Sequence, residues 1–166
     1  NQELSMPDEF EVVVRGLVVR NDPNTANGKT FLIGQRRASS THPLAGQWCI
    51  PEGQPRALEN PCDDVVRQIR EETGLITEFR EVIGTSTEKR LLNSRYSRYY
   101  WLIWVCLNPT NDPDAIKQGS DWRKFVWVSG RQVLELTTPR YQASWPRPIK
   151  QIEAPNRRLL FLQNSH

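Results

Sequence analysis

The chain has 166 residues, 37% of them hydrophobic, with a formal net charge of +3 and a pI near 8.9. This length and apolar content predict one domain over residues 1–166 with a core of normal size. The longest apolar run, Tyr99 to Leu107, is far too short to span a bilayer. An odd number of cysteines and an N-terminus without signal-peptide character predict reduced thiols in a cytoplasmic protein rather than a disulfide framework.

The first predicted elements are two strands rich in β-branched and apolar residues. Phe10 to Arg20 contains many valines and is interrupted by Gly16. A loop of turn-forming residues follows, and Lys29 to Gln35 is the second predicted strand.

A helix is then predicted from Pro61 to the residue before Gly74. Asn60 is a favourable N-cap, and proline is tolerated at the first helical position because an N–H there would have no partner within the helix. Gly74 predicts the end, since glycine readily adopts the left-handed conformation that stops helices. Four apolar side chains recur with the helical period and predict the buried face: Cys62, Val65, Val66 and Ile69.

Two long strands are predicted after the helix, over residues 75–87 and 96–107, and the second is apolar enough to be central. Prolines and turn formers predict an exposed loop over 108–120, followed by a short strand at 125–128. Ser129 and Gln132 have the spacing of a capping box, which predicts a helix to about Leu136. Beyond Pro139 the chain is interrupted by Pro146, Pro148 and Pro155, and one short helix is predicted between them.

Four polar side chains share one face of the first helix within roughly a 100° arc: Asp64, Gln68, Glu71 and Glu72. Carboxylates crowded on one face repel one another by a few tenths of a kcal/mol per pair. A bound Mg²⁺ or Mn²⁺ ion would reverse the sign of that energy, because hard cations prefer oxygen ligands. The alternative is an ordinary acidic surface with Arg67 and Arg70 as ion-pair partners.

The segment from Gly53 to Leu75, GQPRALENPCDDVVRQIREETGL, resembles the signature of the Nudix family. The polar and glycine positions that match the signature are Gly53, Glu59, Arg67, Glu71, Glu72 and Gly74. Gln68 replaces the first glutamate of the family's cluster of three. Residues 48–53 are similar to the family's lead-in, with Glu52 in place of a glycine, and residues 31–36 are similar to its apolar strand that ends in arginine. Together these features extend the resemblance over about residues 17–75.

This resemblance implies an α/β fold, a Nudix-type α/β/α sandwich on a mixed β-sheet. It also implies hydrolysis of a nucleoside diphosphate linked to another group, assisted by Mg²⁺ or Mn²⁺. Glu71 and Glu72 are then the expected metal ligands, with the carbonyl of Gly53 completing the sphere. Arg67 and Glu59 are expected to pair and to hold the loop against the helix.

Gln68 leaves the activity open. An amide on an exposed helix face can offer oxygen to a metal, but it cannot accept a proton, and losing a general base costs about 10²–10⁴ in rate. We predict an enzyme with altered catalysis whose catalytic positions are Gln68, Glu71 and Glu72. Other carboxylates could supply the base: Glu52, Asp64, Glu88, Asp112, Asp114 and Asp121. The alternative is an inactive Nudix-fold protein that binds a nucleotide, RNA or a protein partner.

Arg36 and Arg37 are the expected substrate-binding residues, because Nudix members often place substrate phosphates near that strand end. A second basic series, residues 89–100, alternates with tyrosines and could bind single-stranded RNA, although scattered basic residues are more commonly solvated. His42 lies in a proline-flanked loop and is expected to be solvated, forming no cluster with His166. The predicted partner is a small-molecule diphosphate, RNA is a secondary alternative, and a homodimer is compatible with the sequence.

Overall fold

Seven strands form one mixed sheet in the computed structural model, which describes residues 10–91 and 95–153. Their bounds are Phe10–Asn21 (β1), Lys29–Arg36 (β2), Trp48–Cys49 (β3), Glu52–Gly53 (β4), Thr77–Leu91 (β5), Ser97–Pro109 (β6) and Trp122–Val128 (β7). The expectations for the N-terminal residues 1–9, Pro155 and His166 lie outside the described residues.

Strand β1 lies at the centre of this sheet. It pairs in parallel with β6, from Phe10 opposite Tyr99 to Val18 opposite Leu107, and its last residues pair antiparallel with β2. The main path has the order β3-β2-β1-β6-β5, with β4 on β1 and β7 on β2. Parallel and antiparallel pairs therefore occur together, which confirms the mixed sheet. Burial of every residue from 13 to 19 explains the continuous apolar run, because both faces of the strand are covered.

Within the described residues, four helices cover the two faces of the sheet, and they are Pro61–Thr73 (α1), Gly130–Leu136 (α2), Pro139–Gln142 (α3) and Arg147–Lys150 (α4). A Cβ atom on Gly16 would lie 2.7 Å from Cδ1 of Ile69, so glycine lets α1 approach the backbone of β1 closely. The neighbouring Arg15 points to the opposite face, where its guanidinium carbon lies 4.6 Å from the ring centroid of Tyr141 in α3. Helices on both faces confirm the α/β/α sandwich.

Helix α1 has the bounds and caps that the sequence predicts. The side chain of Asn60 accepts a hydrogen bond from the N–H of Cys62 at 2.9 Å. Gly74 adopts a φ of 77° and donates its N–H to the carbonyl of Arg70 at 2.8 Å. These local contacts explain why the prediction for this element is correct at both ends.

The short helix predicted among Pro146, Pro148 and Pro155 is present as α4, whereas α3, which begins at Pro139, is not predicted from the sequence. Thr138 caps α3 by accepting from the N–H of Tyr141 at 3.1 Å, and a proline lies in the first turn of both α3 and α4. Prolines at helix starts cost nothing, so they mark beginnings here rather than interruptions. No helix among residues 10–91 and 95–153 is both long and apolar enough to cross a membrane.

Candidate functional site

A groove of about 410 Å³ lies where α1 and β4 meet β1, β2, β5 and β6. The charged residues that line it are Arg36, Glu52, Glu72, Arg90 and Arg98. Three of these five side chains are arginines, whose planar guanidinium groups match phosphate and carboxylate oxygens. The groove therefore has the chemistry of a site for an anionic ligand.

Glu71 and Glu72, the two expected metal ligands, do not point the same way. Glu72 lines the groove. The side chain of Glu71 is 59% exposed, and its two oxygens accept from Nη1 of Arg67 at 2.8 and 2.9 Å. Within the described parts of the chain, no group of three or more His, Cys, Asp or Glu side chains is close enough to hold a metal ion. Adjacent residues on a helix are about 100° apart, which accounts for the divergence.

Burial raises the pKa of Glu72 from 4.5 to about 7, and the nearby positive charge of Arg36 opposes that shift. A carboxyl group whose folded pKa exceeds its unfolded pKa stabilises the native state while it is protonated. That stabilisation is complete below about pH 4.5 and is lost as the pH rises through about 7.

We expect this linkage to be measurable in a chelator. Between about pH 5 and pH 8, the free energy of unfolding of the native sequence should fall relative to Glu72→Gln by about 1–3 kcal/mol, because the amide cannot ionise. Denaturant unfolding of the two proteins across that pH range measures the difference between their free energies of unfolding. The contributions of the other titrating groups are common to both proteins and cancel in that difference. Parallel stability curves would show that Glu72 is not buried as described.

The side chain of Gln68 joins α1 to the loop that precedes it. Its Nε2 donates to the carbonyl of Gln54 at 2.9 Å and to Oδ2 of Asp64 at 3.1 Å. Both partners are acceptors, so they require the amide nitrogen rather than a carboxylate at this position. The expectation of an exposed helix face is therefore wrong at Gln68, which is half-buried and hydrogen-bonded at its tip.

Gly53 and Gln68 are also in close contact. A Cβ atom on Gly53 would lie 1.3 Å from Oε1 of Gln68, so any larger residue must displace the amide and break its two hydrogen bonds. Packing against Gln68 therefore requires glycine at position 53, whether or not its backbone carbonyl binds a metal.

We expect Gly53→Ala to reduce the free energy of unfolding by about 1–2 kcal/mol, the usual value of the displaced hydrogen bonds. In a Gln68→Ala background the same change should cost less than about 0.5 kcal/mol, because the clash is gone. Urea unfolding of the four proteins in this cycle gives the coupling. Equal costs in both backgrounds would contradict the contact.

Asp64 organises the loop through contacts that the sequence indicates only by helical spacing. It is almost fully buried and accepts from the N–H of Arg56 at 3.2 Å and from Nε of Arg67 at 3.1 Å, besides Gln68. Burial alone would raise the pKa of Asp64, but the hydrogen bond from Arg67 holds it below its usual range. Asp64 is thus committed to structure and not available as a general base.

The expected pairing of Arg67 with Glu59 is not among the ion pairs of residues 10–91 and 95–153. Arg67 instead bonds Asp64 and Glu71, three and four residues away on the same helix. Glu59 lies 3.9 Å from Nη1 of Arg56 in the loop. Partners at helical spacing are held next to Arg67 by the backbone, so they compete well against a loop residue.

A cluster of buried charges lies beside the groove. Nη2 of Arg90 donates to both carboxylate oxygens of Glu52 at 3.0 Å, and Nη2 of Arg15 lies 3.5 Å from the same carboxylate. Glu88 accepts from Arg15 at 3.2 Å and from Nε of Arg90 at 2.8 Å. Burial would raise the pKa of Glu52, but the two arginines hold it below its usual range. These two carboxylates neutralise arginines and are not free bases.

Arg36 and Arg37 differ in their positions. Arg36 is buried and lines the groove. Its Nη1 donates to Oδ2 of Asp121 at 2.5 Å, and its guanidinium carbon lies 4.1 Å from the ring centroid of Trp122. Arg37 is exposed and is not among the residues that line the groove. The structure therefore brings one residue of this predicted pair to the site.

The remaining candidate bases lie elsewhere. Asp114 pairs with Arg20 at 2.8 Å, and Asp112 accepts from the N–H of Asp114 at 3.0 Å. Neither side chain lines the groove.

The basic series over residues 89–100 is divided between different environments. Arg90 and Tyr100 are buried, with the guanidinium carbon 4.5 Å from the ring centroid. Arg98 pairs with Glu11 at 3.1 Å at the edge of the groove. Tyr99 packs beside Phe10 on the other face of the sheet, with ring centroids 5.8 Å apart. The alternation of the strand therefore separates side chains that are adjacent in sequence.

His42 belongs to the groove, which the sequence does not indicate. The expectation that it is solvated is wrong, because its ring is half-buried and lines the groove. A lone histidine in a proline-flanked loop carries no periodic signal, so only the fold of the loop could place it.

Comparison with known proteins gives a match to a family model and several solved structures with a similar fold. A family model described as the NUDIX domain matches residues 11–149. The MutT protein from Methanosarcina mazei Go1 is 20% identical, with a TM-score of 0.66 over 92% of this chain and 99% of that chain. The NUDIX domain of Shewanella oneidensis NrtR complexed with ADP ribose is 21% identical, with a TM-score of 0.60 over 92% and 89%.

A C. elegans Ap4A hydrolase is 13% identical, with a TM-score of 0.59 over 94% of this chain and all of that chain. The sequence has no significant match among curated proteins. The low identities show a shared fold, whereas the family model spans both α1 and the groove. On that match, over 11–149 of the 166 residues, the chain belongs to the Nudix family.

Proposed function

We propose that this protein hydrolyses a diphosphate linkage in a nucleoside diphosphate derivative with the help of Mg²⁺ or Mn²⁺. The observation that carries the proposal is the position of Glu72 in the same groove as Gly53 and three arginines. The family hydrolyses such linkages, and the related NrtR domain holds ADP ribose, which contains a diphosphate. A groove of about 410 Å³ falls in the range of small-molecule sites.

The residues present fit a single hard cation. Mg²⁺ typically uses one or two carboxylates, with water and substrate phosphates as its other ligands, so a large acidic cluster is not required. Glu72 and the carbonyl of Gly53 would hold it, and Glu71 could join after leaving Arg67. That pair is exposed to solvent, and exposed ion pairs contribute little to stability, so Glu71 can leave Arg67 for a cation at little cost. A bound cation would polarise phosphoryl oxygens and activate water.

The protein's own side chains would bind and orient the substrate. Arg36 is held in place by Asp121 and by stacking on Trp122, so little conformational entropy is lost when it meets a phosphate. Arg98 is 46% exposed, and its ion-pair partner within the described part of the chain is the partly exposed Glu11, so it can exchange that partner for substrate. Glu72 is the groove carboxylate available to accept a proton from water.

Binding without turnover is a second candidate, and a specific observation favours it. Gln68 occupies the position of a family glutamate, and its amide nitrogen donates hydrogen bonds to Gln54 and Asp64. Glu71 is bound to Arg67, so both signature positions that precede Glu72 make structural hydrogen bonds. Such a groove could hold a nucleotide without hydrolysing it.

A substrate screen separates the two candidates. ADP-ribose and dinucleoside polyphosphates are incubated with the protein in Mg²⁺, in Mn²⁺ and in EDTA, and the nucleotide products are resolved by ion-exchange chromatography. Turnover that chelation abolishes supports the hydrolase. Thermal stabilisation by the same compounds without products supports the binder, and neither effect with any compound contradicts both.

A further inference from the structure

The loop between β2 and β3, residues 37–47, makes hydrogen bonds both within itself and to Asp121. The N–H of Arg37 donates to the carbonyl of Asp121 at 3.0 Å, and the N–H of Gly46 donates to the carbonyl of Arg37 at 3.2 Å. Within the loop, the N–H of His42 donates to Oγ of Ser40 at 3.1 Å. The backbone that carries His42 is therefore fixed against the sheet before any ligand arrives.

This loop also fixes which ring nitrogen of His42 carries the proton. The N–H of Leu44 donates to Nδ1 of His42 at 3.0 Å. A nitrogen that accepts a hydrogen bond has no proton of its own, so the neutral ring carries its proton on Nε2. A doubly protonated ring would place the Nδ1–H of His42 against the N–H of Leu44. Leu44 is buried, so it cannot move away to relieve that repulsion.

The charges that face the ring also favour its neutral form. Burial, together with the positive charge of Arg36, lowers the pKa of His42 to about 4. Arg90 acts in the same direction, whereas Glu52 and Asp121 oppose it. Both carboxylates are already paired with arginines, which limits their effect on the imidazole.

We propose that His42 is a further substrate-binding residue, whose Nε2–H donates a hydrogen bond to a phosphoryl oxygen of a nucleoside diphosphate in the groove. The proposal rests on the proposed function for the identity of the ligand. An uncharged donor can lie close to Arg36 and Arg90 without repelling them, and still adds a directed contact to an anion. Losing a hydrogen bond to a charged acceptor is expected to weaken binding roughly 10- to 100-fold.

Nuclear magnetic resonance tests the state of the ring without reference to activity. The chain contains two histidines, so a His166→Gln background leaves His42 as the single imidazole. Long-range ¹H–¹⁵N spectra should show the Nε2–H form and no titration between about pH 5.5 and 8. Adding α,β-methylene-ADP, whose diphosphate cannot be hydrolysed, should shift the Nε2 resonance. A protonated ring, an Nδ1–H form, or no shift at saturating nucleotide would overturn the proposal.

Two substitutions test the donor itself. His42→Leu removes it, and the dissociation constant for α,β-methylene-ADP should rise roughly 10- to 100-fold, whereas His42→Gln retains an N–H donor and should remain within about 3-fold of the native value. Equal affinities for all three proteins would overturn the proposal. If His42→Leu does not fold, the spectra still decide. If the protein shows no turnover but the leucine variant binds more weakly, the hydrolase is rejected and the role of His42 is supported. If the protein shows turnover but the leucine variant binds with unchanged affinity, the hydrolase is supported and the role of His42 is rejected.

Discussion

Glu72→Gln is expected to reduce Mg²⁺-dependent hydrolysis by about 10²–10⁴, the usual cost of removing a group that binds metal or accepts a proton. Glu72 is the signature carboxylate that lines the groove. Substitution by an amide keeps the volume but removes both the charge and the basic site. Steady-state rates on whichever diphosphate substrate is turned over, at saturating metal, measure the loss.

Glu71→Gln is the matched control, since it makes the same chemical change one residue away. We expect it to reduce the rate by less than about 10-fold, because Glu71 is bound to Arg67 outside the groove and that exposed pair is worth little. Equal losses in the two variants would show that both carboxylates turn to the metal when it binds. A fully active Glu72→Gln enzyme would exclude the proposed mechanism.

Gln68→Glu is expected to make the protein both less stable and more active. Without metal, the new carboxylate would face the carbonyl of Gln54 and the carboxylate of Asp64, with two hydrogen bonds lost. We expect the free energy of unfolding to fall by about 1–3 kcal/mol in a chelator. With saturating Mg²⁺ the third carboxylate gains a cation, so stability should recover and hydrolysis should rise towards the roughly 10²–10⁴ of a restored base.

Gln68→Ala separates the two effects, because it loses the same hydrogen bonds without adding a charge. It should be destabilised in chelator but should gain neither stability from Mg²⁺ nor activity. A Gln68→Glu protein that binds Mg²⁺ more tightly yet shows no turnover would indicate a groove built for binding. An active native protein made slower by Gln68→Glu would mean that the chemistry has moved away from this helix.

The architecture was largely predictable from the sequence because its signals are local. Asn60, Pro61 and Gly74 define α1 through contacts within a few residues, and the valine-rich β1 is apolar because both of its faces are covered. Helix α3 at Pro139 was not predicted, since proline is compatible with both the start and the interruption of a helix.

The signature in the sequence by itself identified the family, the helix that carries Glu71 and Glu72, and the single departure at Gln68. Only the tertiary structure decided which of these groups reach the groove. Arg90 comes from a strand 38 residues away to neutralise Glu52, and the loop around His42 brings an unmarked histidine to the site. Such pairings depend on how the sheet aligns strands that are distant in the sequence. The neighbouring charges and the burial that result determine whether a carboxylate can act as a metal ligand, as a base, or only as a partner for an arginine.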